Sequence, residues 1–424
     1  MRNELVVFDC GSPISPVPIA TFTIDAEGDG RLRYLPLSTG TTEVHDVHPP
    51  FLSPDEGEVR VPRHLDGTYP FSDSSPGGWG ARVITSLLRL DQERLPTSAF
   101  DWLRQSKNFG SGRLAFSPDI DHVPELMSVT ATHRDLTPKL LDTLFNFVEA
   151  PEASIDAFTL GVVRPGCDLG GVRPKTLVSH EGREYIIKFG LPNDCFDVPI
   201  AEYAALRLAH LSGVSVPSFE LTHVGSQSGL LIERFDRTEA GERIHYFSAY
   251  SLLNPGPVRQ DGTEYKEGFS YGAIAEALHT FGDPTKVQGH ELFRRMIVNI
   301  MVGNVDDHLR NHAVLVTNGT VELSPAFDIC PHPEAPFRPQ SVGVGAFGRA
   351  STVPNALSQC TRFALTPPEA WKIVSDVKDV VSAWRQVFTE AGASRADLRR
   401  LTPCFAVAEQ ADAVNVNLSI NVQT

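Results

Sequence analysis

Asp306 and Asn311 stand five positions apart in the stretch "GNVDDHLRNHAVLV" of residues 303–316. An acid at the head of a D-x-x-x-x-N spacing is placed to take a proton from a hydroxyl, and the amide five residues on offers an oxygen to Mg2+. Asp328, in "SPAFDICP", follows 17 residues after Asn311 and supplies a second oxygen ligand. Magnesium suits such a pair, because it prefers oxygen, keeps several waters and bridges substrate phosphates. Burying two carboxylates, two histidines and two asparagines in a turn is costly unless a cation, a proton or a phosphate is handled there. Phe327 precedes Asp328 but Ile329 follows it, so the D-F-G triplet is absent. His308 either bonds within the loop or reaches a nucleotide, while Asp307 and His312 read as solvated or structural.

Three further stretches bear on the same chemistry. In "DLGGVRPK" (168–175), Gly170 and Gly171 permit a sharp backbone turn whose N–H groups hold phosphate oxygens. The plainer reading is a glycine turn between two elements, and the G-x-x-x-x-G-K-[ST] spacing is missing. Lys188 ends the apolar run "EYIIKFG". Such a lysine snorkels to water or, on a strand after a glycine loop, pairs with phosphates. Glu202, in the next expected helix, is then its orienting partner, or a solvated helix glutamate. In "LLIERFDR" (230–237), Glu233, Phe235 and Asp236 fall where a connector between two lobes meets adenine and ribose. Each signal is weak alone. The ordered set of glycine loop, strand lysine, helix glutamate, connector, D-x-x-x-x-N and later Asp is what carries weight.

The elements that must position these residues follow from periodicity. "ELVVFDC", "PIATFTI" and "LRYLPL" read as strands. "SPGGWGARVITSLLRL" passes from a loop into a helix with Ile84, Leu87 and Leu88 on one face, and "TSAFDWLRQS" starts like a capped helix. A helix over "LTPKLLDTLFNFVEA" and the strands "PKTLVSH" and "REYIIKFG" come next. The helix "VPIAEYAALRLAHLSG" follows, with Ala204, Leu208 and Leu211 on one face and its end at Gly213. Residues 270–302 and the stretches after Pro367 read as helices, and the final "NVNLSINVQT" alternates like a strand. The expectation is an α+β, two-lobed protein-kinase-like fold. It comprises a β-rich N-terminal subdomain (1–120), an N-lobe with glycine-rich loop and hinge (121–253), and a mainly helical C-lobe with the catalytic loop (254–424).

Composition narrows the setting. At 424 residues the chain exceeds one ordinary core. Its formal net charge of −15 repels nucleic acid and anionic membranes. Six cysteines without C-x-x-C spacing read as free thiols of a reducing compartment, not as a zinc site. Neither a signal region nor a membrane span is legible, so a cytoplasmic location is expected.

Over nearly its whole length the chain resembles the HipA-type serine/threonine kinase toxins of bacterial toxin–antitoxin pairs. "YPFSDSSPGGWGARVI" resembles the N-terminal subdomain of that family, "LGGVRPK" its glycine-rich loop, and "IERFDR" its hinge. "GNVDDHLRNHAVL" resembles its catalytic loop and "SPAFDICP" its metal-binding segment. The resemblance implies Mg2+ and ATP as cofactors and a protein serine or threonine as acceptor, such as an aminoacyl-tRNA synthetase. It implies Asp306 as base and Asn311 and Asp328 as metal ligands. ATP falls to Gly170, Gly171, Lys175, Lys188, Glu233, Phe235, Asp236 and His308, with Glu202 in support. The implied partner is a small helix-turn-helix antitoxin of HipB type, through which operator DNA is reached. Asp168 stands where some family members phosphorylate a serine of their own glycine loop to switch off. Either that switch is absent here, or the fixed charge mimics it and weakens ATP binding, or Asp168 simply caps the turn. The competing functions are a silent kinase fold acting as antitoxin-binding corepressor and a small-molecule phosphotransferase. A metal phosphohydrolase using "DDH" lacks further ligands at useful spacing.

Overall fold

A computed structural model describes residues 4–410 apart from 13–14, 36–57, 62–67, 91, 107–109, 125–136, 138, 141, 144–166, 225–226, 254–268, 284–286, 318 and 335–337. The helix expected at 136–150 and the alternating C-terminal stretch lie largely or wholly outside these residues. The chain forms two compact units: Met1–Pro192 with Thr222–Arg259 and Val314–Thr320, and Asn193–Leu221 with Gln260–Ala313 and Val321–Thr424.

In the first unit, β1 (Glu4–Asp9), β2 (Val17–Ile24), β3 (Gly30–Tyr34), β4 (Glu58–Val61) and β5 (Leu114–Ser117) form an antiparallel sheet in the order β4-β3-β2-β1-β5. Alternation along β1 and β2 sends Leu5, Val7, Ala20 and Phe22 to one side, where Phe71, Phe100 and Leu103 cover them. Phe22 and Phe71 meet edge to face at 5.0 Å, the geometry that ring quadrupoles favour. Phe100 and Leu103 come from α2 (Ala99–Arg104), whose start carries the expected capping box between Ser98 and Asp101.

A second sheet, β6 (Lys175–His180), β7 (Arg183–Phe189), β8 (Phe219–Val224) and β9 (Gln227–Glu233), runs in the order β6-β7-β9-β8. The helix α1 (Gly78–Leu90) lays Trp79, Val83, Ile84, Leu87 and Leu88 on Val178, Tyr185, Ile187, Phe189 and Leu231 of this sheet. That is the 3.6-residue stripe read from the sequence.

The second unit is mainly helical, with α3 (Val198–Leu211), α4 (Tyr271–Phe281), α5 (Gln288–Met301), α6 (Val353–Leu357), α7 (Pro367–Val381) and α8 (Trp384–Glu390). Ala204 and Leu208 of α3 are buried as expected, but Leu211 is exposed. It is the last helical residue before Gly213 reverses the chain at φ 80°, and the core-facing stripe ends one turn earlier. The helix α5 runs through the centre, burying Leu292, Phe293, Met296, Ile297 and Ile300 together with Arg295 and Asn299. No described helix is long and apolar enough to cross a membrane. All six cysteines are free, and burial pushes the Cys10 and Cys404 thiols up to about 12.

Where β9 ends, the first unit buries a charge cluster. Asp236 accepts from Arg234 at 2.8 and 2.9 Å, from Arg237 Nη1 at 2.9 Å and from the Gly112 N–H at 2.8 Å. Burial alone would raise its carboxyl pKa, but Arg234 and Arg237 hold it well below the usual carboxylate range. A depressed carboxylate contributes stability that is complete above about pH 4 and is lost as the pH falls toward its folded value. Replacing Asp236 with Asn is expected to cost about 3–5 kcal/mol at pH 7. Urea denaturation would measure this, with the gap from the parent closing as the pH is lowered below about 4. Equal stabilities at pH 7 would remove Asp236 from this role.

Candidate phosphoryl-transfer site

The second unit gathers Asp306, Asn311 and Asp328 on a buried polar frame. Asn299, one helical turn beyond Arg295 in an otherwise apolar run of α5, donates from Nδ2 to Asp307 Oδ2 at 2.7 Å. Tyr271 Oη, at the start of α4, donates to the same oxygen, and His312 Nε2 lies 2.9 Å from it. The ring of His312 packs edge to face on Tyr271. Asp307 is 2% exposed and His312 3%, so neither is solvated. A carboxylate that accepts three donors in the interior fixes each of them. The loop between Asp306 and Asn311 is thereby fastened to two helices.

The same frame reaches the Asp328 segment. Asn304 Nδ2 donates to Asn299 Oδ1 at 2.9 Å and to the Asp328 carbonyl at 3.4 Å, and His332 N donates to the Gly303 carbonyl at 3.1 Å. Asp328 itself sits at φ 60°, a region that non-glycine residues enter at a cost and that clusters at working sites. A short 3-10 turn over Leu309–Asn311 follows the exposed Asp306 and His308. Asn311 Nδ2 donates to the Asp306 carbonyl at 3.3 Å. That bond uses the nitrogen of the amide and leaves Oδ1 as the end directed elsewhere.

Asn311 Oδ1 and the Asp328 carboxylate are oxygen donors of the kind a hard cation takes. Among the described residues no group of three or more His, Cys, Asp or Glu side chains forms a metal cage. A cation that takes few protein ligands and completes its shell with water and substrate phosphate matches this donor set; a closed zinc site does not.

In the first unit, Lys175 and Lys188 are register partners across β6 and β7, so their side chains share one face of the sheet. Two like charges directly opposite each other are unfavourable, and a polyphosphate beside them would offset this. Lys175 Nζ donates to the Gly170 carbonyl at 2.5 Å, tying the glycine loop to the strand. Gly170 and Gly171 are exposed, with Gly171 at φ 94°.

Behind the loop lies α1. Trp79 N donates to the Gly171 carbonyl at 2.9 Å. A Cβ on Gly78 would fall 2.2 Å from that carbonyl oxygen, and one on Gly80 would fall 1.8 Å from the carbonyl oxygen of Cys167. The "GGWG" signal was present in the sequence, but its meaning is this close approach of helix to loop.

Asp168 is 1% exposed and acts with Asp236 and Glu184 on the Arg234 guanidinium. It belongs to the buried charge cluster.

The connector differs from expectation. Asp236, assigned above to a ribose, has both carboxylate oxygens engaged by Arg234, Arg237 and Gly112, so it holds the connector in place. Glu233 pairs with Arg183 at 2.6 Å, and Phe235 is half-buried with its ring 6.4 Å from that of Tyr246. Glu202 is buried on α3 in the second unit, and Lys188 is buried on β7 in the first.

Asp307→Ala would strand Tyr271, Asn299 and His312 in the interior. It is expected to lower unfolding free energy by about 3 kcal/mol, whereas Asp306→Ala, at an exposed position, should stay within about 0.5 kcal/mol. Chemical denaturation of the two variants separates the frame from the chemistry it carries.

Comparison with known proteins shows the family and the fold. A curated relative, the serine/threonine-protein kinase toxin HipA of Shewanella oneidensis, is 25% identical over 189 residues, 39% of this chain and 43% of its own. The chain thus aligns with less than half the length of that relative. HipA of Shewanella oneidensis MR-1, solved as a toxin–antitoxin complex with HipB and operator DNA, superposes with a TM-score of 0.67 at 16% identity, over 96% of this chain and 97% of that one. The fold is therefore the α+β, kinase-like fold of HipA. The HipA-like C-terminal domain matches residues 167–384, just over half of the chain, and spans both the glycine loop and Asp306, Asn311 and Asp328. The chain belongs to the HipA-like family.

Proposed function

We propose that this protein transfers the γ-phosphoryl group of ATP to a serine or threonine hydroxyl of another protein, as the toxin of a toxin–antitoxin pair. The observation that carries this reading is the single buried frame holding Asp306, Asn311 and the strained Asp328 together. Asp306 accepts the proton of the acceptor hydroxyl while its oxygen bonds to the γ-phosphorus and the bond to ADP breaks. Asn311 Oδ1 and the Asp328 carboxylate would hold Mg2+. When bound, the metal neutralises charge on the phosphate oxygens.

Lys188, Lys175 and the N–H groups of Gly170 and Gly171 hold the phosphates, and Glu233 and Phe235 lie where adenosine is expected. His308, exposed beside Asp306, is available to the nucleotide. Asp168 is buried and its charge acts on the Arg234 guanidinium, which favours an active enzyme over a silenced one. A HipB-type helix-turn-helix protein is the expected antitoxin, and it would carry this acidic chain to operator DNA. The cytoplasm, where such partners and ATP are found, is the expected location.

Purified protein with Mg2+ and γ-labelled ATP, incubated with cell extract, tests the reading. Label should enter a discrete extract protein on serine or threonine. Asp306→Asn should lower that transfer by about 10²–10⁴-fold with ATP binding retained, as befits loss of a general base. Lys188→Ala should instead weaken ATP binding. Transfer to a small metabolite, or undiminished transfer by Asp306→Asn, would overturn the assignment. Expression of the chain alone should arrest growth, and co-expression of the cognate helix-turn-helix protein should relieve it.

A further inference from the structure

Phe347 is 71% exposed, further out than any other large apolar side chain described. Single surface aromatics are common and need no explanation on their own. This one differs in how its backbone is held. The turn closes with Gly348 N donating to Gly345 O at 3.0 Å and Val344 N to Gly348 O at 2.9 Å.

Asn355, 1% exposed at the start of α6, accepts the Phe347 N–H at 2.8 Å and donates to the carbonyls of Gly348 and Ala350 at 3.0 and 2.9 Å. Ser358 Oγ accepts the Ala346 N–H at 2.8 Å. Any Cβ at Gly345 would lie 1.9 Å from the Asn355 carbonyl oxygen. The ring is thus presented on a fixed backbone, the condition under which an aromatic anchor binds at low entropic cost.

The turn is also tied to the catalytic loop. Gln340 N donates to the Arg349 carbonyl at 2.8 Å, and Ser341 Oγ donates to the carbonyl of Val305, the residue before Asp306, at 3.1 Å. Followed along these bonds, the backbone of Phe347 lies within about 26 Å of that of Asp306. A protein partner of ordinary size covers about 800 Å² on each side, a patch roughly 30 Å across, so one polypeptide spans both. Arg338 and Arg349 are exposed beside the turn on a chain of net charge −15.

We infer that the Phe347 turn is a docking element for the protein acceptor. Its ring seats in an apolar recess of that protein, and Arg338 and Arg349 face acidic side chains around the recess. The inference rests on the kinase reading above and adds how the acceptor is selected. Phe347→Ala should raise the KM for the labelled extract protein, once purified, by about tenfold or more. The KM for ATP should be unchanged, and Phe347→Tyr should restore most of the loss.

The double variant Arg338→Glu, Arg349→Glu should raise the same KM and weaken its dependence on salt. An acceptor KM unchanged in Phe347→Ala, with the parent enzyme active, would overturn the docking role and leave the kinase reading intact. A loss of antitoxin binding alone, with acceptor KM unmoved, would overturn it too and assign the turn to the antitoxin. If the parent protein labels no protein at all, both readings fall together.

Discussion

Asp307 is the point from which the second unit's chemistry is organised. A carboxylate at 2% exposure is expensive unless several donors surround it, and here Tyr271, Asn299 and His312 do so. Each donor comes from a different place: the first residue of α4, the inner face of α5, and the chain just after the 3-10 turn. The carboxylate therefore acts as a joint. It makes the position of Asp306 a consequence of helix packing and not of loop conformation, and through Asn299 and Asn304 it extends the same constraint to Asp328. A frame of this kind suits proton and phosphoryl transfer, where small displacements of the reacting groups are costly.

The first unit uses a different device for its glycine loop. Glycine-rich turns are soft, and this one is backed by α1, pressed close enough at Gly78 and Gly80 to exclude any side chain. Asp168 adds a buried charge that acts on the Arg234 guanidinium of the connector. The loop is held by packing on one flank and by electrostatics on the other, with Lys175 bonded to its tip. The helix α1 thus supports the loop that the family motif carries.

Much of the fold was legible because periodicity reports burial directly. The strands β1, β2, β6 and β7, the stripe of α1 and the capping box of α2 follow from local pattern and cap chemistry. Leu211 failed because a pattern cannot say where the core stops beneath a helix. In the candidate site, Asp306, Asn311 and Asp328 are singled out by spacing, which is legible in sequence because one loop carries two of them. Of the two readings for Asp307 and His312, solvated or structural, the structural one holds: they are a buried pair. Their signal was the polar Arg295 and Asn299 inside the apolar run of α5, which shows that something polar must meet that helix.

By itself, the sequence determined the residue types able to do chemistry, their order, and the α+β elements between them. Those depend on composition and near-neighbour spacing. Only the tertiary structure decided which acids face water and which are consumed inside. Asp306 stays exposed while its neighbour Asp307 is buried, and Asp236 and Asp168 are drawn into a cluster of arginines. The physical reason is that the fate of a carboxylate depends on the donors that reach it. Some of those donors are near neighbours, as Arg234 and Arg237 are to Asp236, but Gly112 and Tyr271 reach their carboxylates from 124 and 36 residues away, only when the helices and sheets pack.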